Sequence, residues 1–507
     1  MEINRVVRVL GLFSLSLIVL LTGCAQKETA PPQQAAVEKA KVTINWDKVV
    51  TVSKTTPTLQ VVVNPPLRRG SQIHDRVFQA LHELGADYVR YVPWLPYPKL
   101  AVAELEPPAN GKTFWDFSLI DPMTVDFLNA TKGHPVILNF STIPQWMFKT
   151  AEPVKYPADP DAVTWKYTQA TELRDPSGKE LGDYYARLVS WYVNGGFTDE
   201  FGQRHESGHH FKIAYWEVLN EPDFEHQTTP EQYTARYDAI VAAIHEVAPE
   251  IKFVGISAAA PSSNPRMFEY FLDPRNHRPG IPLDMISYHF YATPSADESP
   301  AVQQFTFFDQ ADRFIATVRY IEAIRQRLSP ATETTVNEIG SILAGDPNLR
   351  TAIPDSYWNL SGACYAYVFG QLAALGIDIA GESQLVGYPT QFPSVSMVDW
   401  STGAPNARLR VLELLKNNFH PGDRIVKTAS HNSAIYTLGM LSPKGERKLL
   451  LVNKRDREIE LTLNGRATGM EYVDQTTKGG APGRQAVYAD KLTLRGLGVA
   501  VVTMAAE

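Results

Sequence analysis

Cysteine is nearly absent from this chain. Its 507 residues hold two, Cys24 and Cys364, which excludes a disulfide framework and any metal site built on cysteine. A basic block is missing too: 48 Lys and Arg stand against 55 Asp and Glu, a formal net charge of −7. Without a concentrated cationic surface, nucleic acid is not an expected partner. No apolar run has the length and flanks of a spanning helix. The first strand-like segment continues as VVVNPPLRRG. It lacks the Gly-rich phosphate turn that an open, doubly wound dinucleotide-binding sheet carries there. What is present is ordinary for a globular protein, 44% hydrophobic and 20% charged residues. The length suits a large core plus a smaller module.

The N-terminus reads as an export signal. Arg5 and Arg8 precede the apolar run LGLFSLSLIVLL, which ends in Leu21-Thr22-Gly23-Cys24. That ending resembles the bacterial lipobox. The resemblance implies a signal peptide over residues 1–23, cleavage before Cys24, lipidation of Cys24, and a lipoprotein held at a membrane of the bacterial cell envelope by its acyl chains. Residues 24–41, rich in Ala, Gln and Pro, are expected to be a flexible tether. Cys364 lies in the apolar helical pattern GACYAYVFGQLAALG and reads as a buried core thiol.

From residue 58 to 420, strand-like runs alternate with amphipathic helical stretches. The runs are LQVVVN, DYVRYVPW, PVILNFS, KIAYWEVLN, KFVGIS, DMISYHFY, TETTVNE and IDIAGES. Eight strand-then-helix units predict an α/β fold, a parallel sheet closed into a (β/α)8 TIM barrel. Residues 421–507 change to short alternating strands separated by turn residues, the pattern of a C-terminal β-sandwich. Residues 42–57, which open with VTINWDKVVTV, are expected to add a strand that packs on that sandwich.

Two stretches compete as the chemical site. His205-Glu206-Ser207-Gly208-His209 spells the zincin pattern H-E-x-x-H. That chemistry needs both histidines on one face of a continuous helix. Here Gly202 and Gly208 interrupt the window and a strand comes directly after it, so a solvated loop at the bottom of the barrel is expected, and no metal site. The second stretch is YWEVLNEPD, in which the fourth strand presents Asn220 and Glu221 before Pro222 stops regular structure. Glu338 ends the seventh strand in the same way, in TTVNEIGS. Residues at the C-terminal ends of barrel strands face the active site, and the fourth and seventh strands lie across from each other. Two carboxylates converging on one cleft suit glycoside hydrolysis, provided their environments push their pKa values apart.

WEVLNEP together with VNEIG, on an eight-unit barrel with a C-terminal sandwich, resembles clan A glycoside hydrolases and in particular glycoside hydrolase family 39, the family of β-xylosidases and α-L-iduronidases. The resemblance implies Glu221 as acid/base, Glu338 as nucleophile, and Asn220 as a hydrogen-bond partner of the sugar 2-hydroxyl. It implies a retaining enzyme that acts on oligo- or polysaccharide and needs no cofactor. His289 and Tyr291 at the end of the sixth strand are placed near the nucleophile or the sugar. Arg90 is placed to orient Glu338 by a charge-assisted hydrogen bond. Trp94, Trp146 and Trp400 are candidate stacking platforms, and Glu382 and Gln384 candidate pocket-lining residues. His134, His209 and His210 fall at the wrong ends of their strands. The segments QLVGYPTQFPSVSMVDW and Asp223-Phe224-Glu225-His226 depart from the family pattern, and loops of this kind set substrate choice. A non-catalytic carbohydrate-binding lipoprotein on the same barrel is the alternative.

Overall fold

The computed structural model describes residues 38–150, 156–165, 171–346 and 353–506. The signal peptide, Cys24 and the tether up to residue 37 lie outside the described residues. The tether expected to run to residue 41 ends earlier, because Glu38–Val52 forms one strand, β1. Ala40, Val42 and Ile44 are buried and the polar residues between them are not, so KAKVTI already alternates as a half-buried strand.

Eight parallel strands then close the predicted barrel. In chain order they are β2 (Thr56–Val62), β3 (Val89–Val92), β4 (Val136–Leu138), and, after the small hairpin β5 (Gly196–Thr198) and β6 (Arg204–Glu206), β7 (Tyr215–Glu217), β8 (Lys252–Ala258), β9 (Met285–Ala292), β10 (Glu333–Ser341) and β11 (Ile379–Glu382). Thr56 and Pro57, read from sequence with the preceding segment, belong to the barrel, where they pair with Ile379 and Ala380. Each barrel strand is followed by a helix: α1 (His74–Leu84), α2 (Ile120–Ala130), α3 (Lys179–Val193), α4 (Pro230–Val247), α5 (Pro265–Phe271), α6 (Pro300–Leu328), α7 (Asp355–Leu375) and α8 (Ala407–Asn418).

The helices follow their local sequence. In α1, Val77, Phe78, Leu81 and Leu84 make one buried stripe, and Gly85 closes the helix in the left-handed conformation that costs glycine little. Thr229 and Gln232 start α4 with a reciprocal capping box, and Pro230 takes the first helical position. Cys364 is buried in α7.

The C-terminal strands β12 (Arg424–Ser430), β13 (Ile435–Leu441), β14 (Arg447–Asn453), β15 (Ile459–Leu463), β16 (Ala467–Val473), β17 (Gly483–Ala486), β18 (Lys491–Leu494) and β19 (Val499–Met504) join β1 in one nine-stranded sheet. β1 runs antiparallel to β12 and parallel to β15. The period of two sorts the side chains. Leu449, Leu451, Ala500 and Val502 join Val42, Ile44, Ile459 and Leu461 in the module's own core. Leu450, Val452, Val499 and Val501 face the other way and belong to the barrel's core. Each such side chain contributes about 1.5–3 kcal/mol on burial, so the sheet is cemented to the barrel along one face.

Candidate active site

The barrel lumen changes character along its length. At the N-terminal ends of the strands Ile137, Tyr215, Val254, Met285 and Ile379 form an apolar plug. One layer higher the inward positions turn polar: Gln60, Asn139, Glu217, Ser257, Ser287 and Asn337, all buried. Glu217 is fully buried. Its Oε2 accepts from Asn139 Nδ2 at 2.7 Å and from Arg90 Nε, and its Oε1 accepts from Asn337 Nδ2 at 2.7 Å and Ser287 Oγ at 2.5 Å. Four donors on one carboxylate, one of them cationic, are what a charge at this depth requires.

Arg90, itself buried, links this layer to the next. Its Nη1 donates to Gln60 Oε1 at 2.6 Å and to Glu338 Oε1 at 2.5 Å; its Nη2 donates to Asn220 Oδ1 at 2.7 Å and Ser257 Oγ at 3.0 Å. One guanidinium on β3 thus reaches β2, β7, β8 and β10 across the lumen and fixes both the seventh-strand carboxylate and the amide beside the fourth-strand one.

Backbone irregularities aim the upper side chains. Strict alternation would turn Glu338 away from the lumen if Asn337 faces it. The register of β10 shifts between Val336 and Glu338, and both side chains face inward. A bulge beside a site re-aims a side chain in this way. At the end of β7, Leu219 (φ 65°) and Glu221 (φ 42°) both take the left-handed conformation without being glycine. That costs of order 1–3 kcal/mol each and is characteristic of functional sites.

Glu221, His289 and Glu338 bring one ligand-type atom each to within 4.8 Å of one another, the one such trio of His, Cys, Asp or Glu among the described residues. His289 Nδ1 lies 2.8 Å from Glu221 Oε1 and 3.5 Å from Glu338 Oε2, and its Nε2 lies 3.0 Å from Ser257 Oγ. Tyr291 donates its hydroxyl to Glu338 Oε2 at 2.6 Å and also meets Ser383 Oγ at 2.6 Å. Donors already occupy the oxygens of Glu338, and the Arg90 cation beside it disfavours a metal ion there. The arrangement suits two carboxylates in different protonation states. Burial pushes Glu221 above the ordinary carboxylate value; His289 opposes this and the Glu338 charge adds to it. Burial acts on Glu338 in the same sense, but His289, Arg90 and the Tyr291 hydroxyl outweigh it and hold Glu338 below the ordinary value. His289 loses proton affinity to burial and regains more from Glu338 and Glu221, so it stands above its usual value.

The other sequence candidates divide. Trp94 reaches the site: its indole donates to Glu225 Oε1, which also accepts from Asn220 Nδ2 at 2.9 Å. Its ring centroid lies 5.5 Å from that of Trp165 and 6.2 Å from that of Phe392. Trp146 is engaged elsewhere, donating to the Glu104 carbonyl at 2.9 Å with the Arg174 guanidinium 4.4 Å above its ring. Trp400 packs against the hydrophobic core. Glu382 faces the helix layer, where Arg408 Nε of α8 binds it at 3.0 Å. Burial there lifts it to about 8 despite that partner. The Gln384 side chain turns to the Val386 carbonyl at 2.7 Å. None of these four is brought to the carboxylate pair, because reading strand ends alone does not say which face a side chain takes.

His205 and His209 share no helix. The loop expected around them is partly the hairpin strand β6, and the two rings take separate partners, Asp199 at 3.0 Å and Asp121 at 3.1 Å. His134 pairs with Asp87 at 2.8 Å, away from the site. The residues that sequence reading missed are Gln60, Asn139, Glu217, Glu225, Ser257, Ser287, Asn337 and Ser383. For those on strands the available signal was a polar residue at an inward position of an otherwise apolar run, as in YWEV; Glu225 lies in the turn after β7, where no period applies.

The family model of the alpha-L-arabinofuranosidase 1 domain matches residues 168–313, a segment that includes Glu221, His289 and Tyr291. No curated protein matches the chain. Among solved structures, the family 51 arabinofuranosidase of Xanthomonas axonopodis pv. citri superposes with a TM-score of 0.61 at 12% identity, over 92% of this chain and 100% of that one. The alpha-L-arabinofuranosidase of Thermotoga maritima gives 0.60 at 11% identity, over 92% and 99%. The family 30 endoxylanase of Clostridium papyrosolvens C71 gives 0.55 at 15% identity, over 92% and 100%. These likenesses show a shared barrel-plus-sheet fold, and the domain match supports a glycosidase.

Proposed function

We propose that the protein is a retaining glycoside hydrolase with Glu338 as nucleophile and Glu221 as acid/base. The observation that carries the proposal is the approach of the two carboxylates to within 4.8 Å while their surroundings drive their proton affinities in opposite directions. Having one oxygen of each within 4.8 Å of the other suits the close pair of double displacement better than the wider gap that an intervening water needs. An ionised Glu338 oxygen attacks the anomeric carbon as the glycosidic C–O bond breaks, and Glu221 delivers its proton to the leaving oxygen. In the second half, Glu221 takes a proton from water, whose oxygen displaces Glu338 and restores the original anomeric configuration. Asn220, clamped by Arg90 and Glu225, is held to meet the sugar 2-hydroxyl.

Alpha-L-arabinofuranosides are the first substrate class to try, because the domain match points there. The family 39 alternative, with β-xylosides and α-L-iduronides, rests on the WEVLNEP and VNEIG residues. We further propose export and lipid anchoring at Cys24, on the strength of the LTGC sequence.

A panel of aryl glycosides tests the activity, offered to the full chain in detergent beside Glu338→Ala and an EDTA-treated sample. It includes α-L-arabinofuranoside, β-xyloside, β-glucoside, β-galactoside and α-L-iduronide. Turnover of one member with retained configuration, lost in Glu338→Ala and indifferent to EDTA, is the expected result. Turnover that survives Glu338→Ala would overturn the assignment.

A further inference from the structure

Arg236 on α4 is only 4% exposed, and among the described residues no carboxylate pairs with it. Its Nη2 donates to the Thr171 carbonyl, and its guanidinium carbon lies 5.7 Å from the centre of the Phe148 ring. Its Nη1 is buried with no hydrogen-bond partner. Beside it His226 is buried with both ring nitrogens unpartnered, and burial, then the Arg236 charge, push its pKa down to about 3, so that ring stays neutral and supplies no compensating charge. A buried guanidinium without an anion is costly, and an unsatisfied buried group in a folded protein calls for an explanation such as an absent ion.

Arg236 also lines a cavity of about 300 Å³ whose wall includes Lys149, Glu172, Ser177, Gln232 and Arg278. The charges of that wall do not balance. Glu172 is the one carboxylate among the described residues that line it, and Lys149 already holds it at 3.2 Å. Arg278, on the exposed rim, gives its Nη2 to the Ser177 carbonyl at a long 3.3 Å. Two guanidinium groups therefore converge on one cavity with carbonyl oxygens as their acceptors. Planar donor forks of this kind bind carboxylate, sulfate and phosphate oxygens in pairs.

We propose that this cavity between α4 and the 171–178 loop that leads into α3 is an oxyanion-binding site built on Arg236 and Arg278, and that its ligand is a carboxylate, sulfate or phosphate group. The anion arrives either as an acidic substituent of a saccharide or as a free ion. Only the first source rests on the glycosidase reading; the site itself does not.

The test is thermal unfolding of the full chain titrated with sodium sulfate, against sodium chloride at equal ionic strength. A saturable rise of the midpoint in sulfate is expected. In Arg278→Ala, a change on the exposed rim, apparent affinity should weaken by about tenfold or more, the loss of charge-assisted bonds; Arg236→Met should abolish the response if it folds. No sulfate-specific rise, or one of equal affinity in Arg278→Ala, overturns the site. Glucuronate and glucose separate the sources: stabilisation by glucuronate and not glucose, sensitive to Arg278→Ala, assigns the site to an acidic saccharide, whereas response to sulfate alone assigns it to a free ion. Hydrolysis of a neutral aryl glycoside should be unchanged in Arg278→Ala. Its absence from the wild-type chain as well would strike the glycosidase reading and leave the sulfate result standing.

Discussion

Ile137, Tyr215, Val254, Met285 and Ile379 fill one end of the barrel lumen; Arg90, Glu217, His289, Glu221 and Glu338 fill the other. The same strands supply both, often a few residues apart: Tyr215 and Glu217 are two apart on β7, and Met285 and His289 four apart on β9. The apolar end is stabilised by contact and needs no partner of defined direction. The polar end is tolerable only because each charge is met by directed bonds, and it converts that constraint into fixed positions for two carboxylates. Stability belongs to the lower layer and chemistry to the upper one.

Substitutions can break this division. Glu221→Ala should lower kcat/KM by about 10²–10⁴-fold, the usual worth of a lost proton transfer. The loss should shrink for aryl glycosides whose leaving group needs no protonation, as a series of leaving groups will show. Arg90→Met removes the one cation shared by Glu217 and Glu338. It should cost about 3–5 kcal/mol in denaturant unfolding and abolish turnover as well, because Arg90 joins the buried Glu217 to Glu338 within the polar end. Ile379→Ala should cost a comparable or smaller amount, about 2–5 kcal/mol, and leave kcat unchanged; a drop in kcat would show that the plug does more than support. The smallest effect is expected in the pH profile of His289→Gln. Glu338 must be ionised to attack, so activity rises with pH through its pKa. With His289 gone, burial is less opposed and that pKa climbs. The acidic limb of kcat/KM therefore moves to higher pH, while the protein stays folded.

The sequence made the barrel legible because eight apolar runs alternate with helical stripes, and each pattern obeys a local period. Glu221 and Glu338 were legible because each follows a strand-like run in the same Asn-Glu context, although β7 stops at Glu217 and β10 runs on to Ser341. Facing was much less legible. Glu382 also ends a strand, yet it points to Arg408 in the helix layer. Glu338 points inward only because the register of β10 slips at Asn337, and no local pattern announces a bulge. Trp146 and Trp400 look like platforms by residue type alone; Arg174 and the core claim them through contacts remote in sequence. Glu217 was hidden because a glutamate inside YWEV reads as one polar residue in a short strand, and its four donors come from β3, β9, β10 and the residue just past β4.

β1 leaves the ribosome before any of the barrel, yet its neighbours are β12 and β15, from the far end of the chain. At roughly 5–20 residues per second of synthesis, the nascent strand waits for tens of seconds with Val42 and Ile44 uncovered. The final sheet acts as a seam: it can close only after the last strands arrive, and closing it ties a strand made before the barrel to strands made after it in one layer. Deleting β1 or the last strands, β18 and β19, should therefore unravel the same sheet.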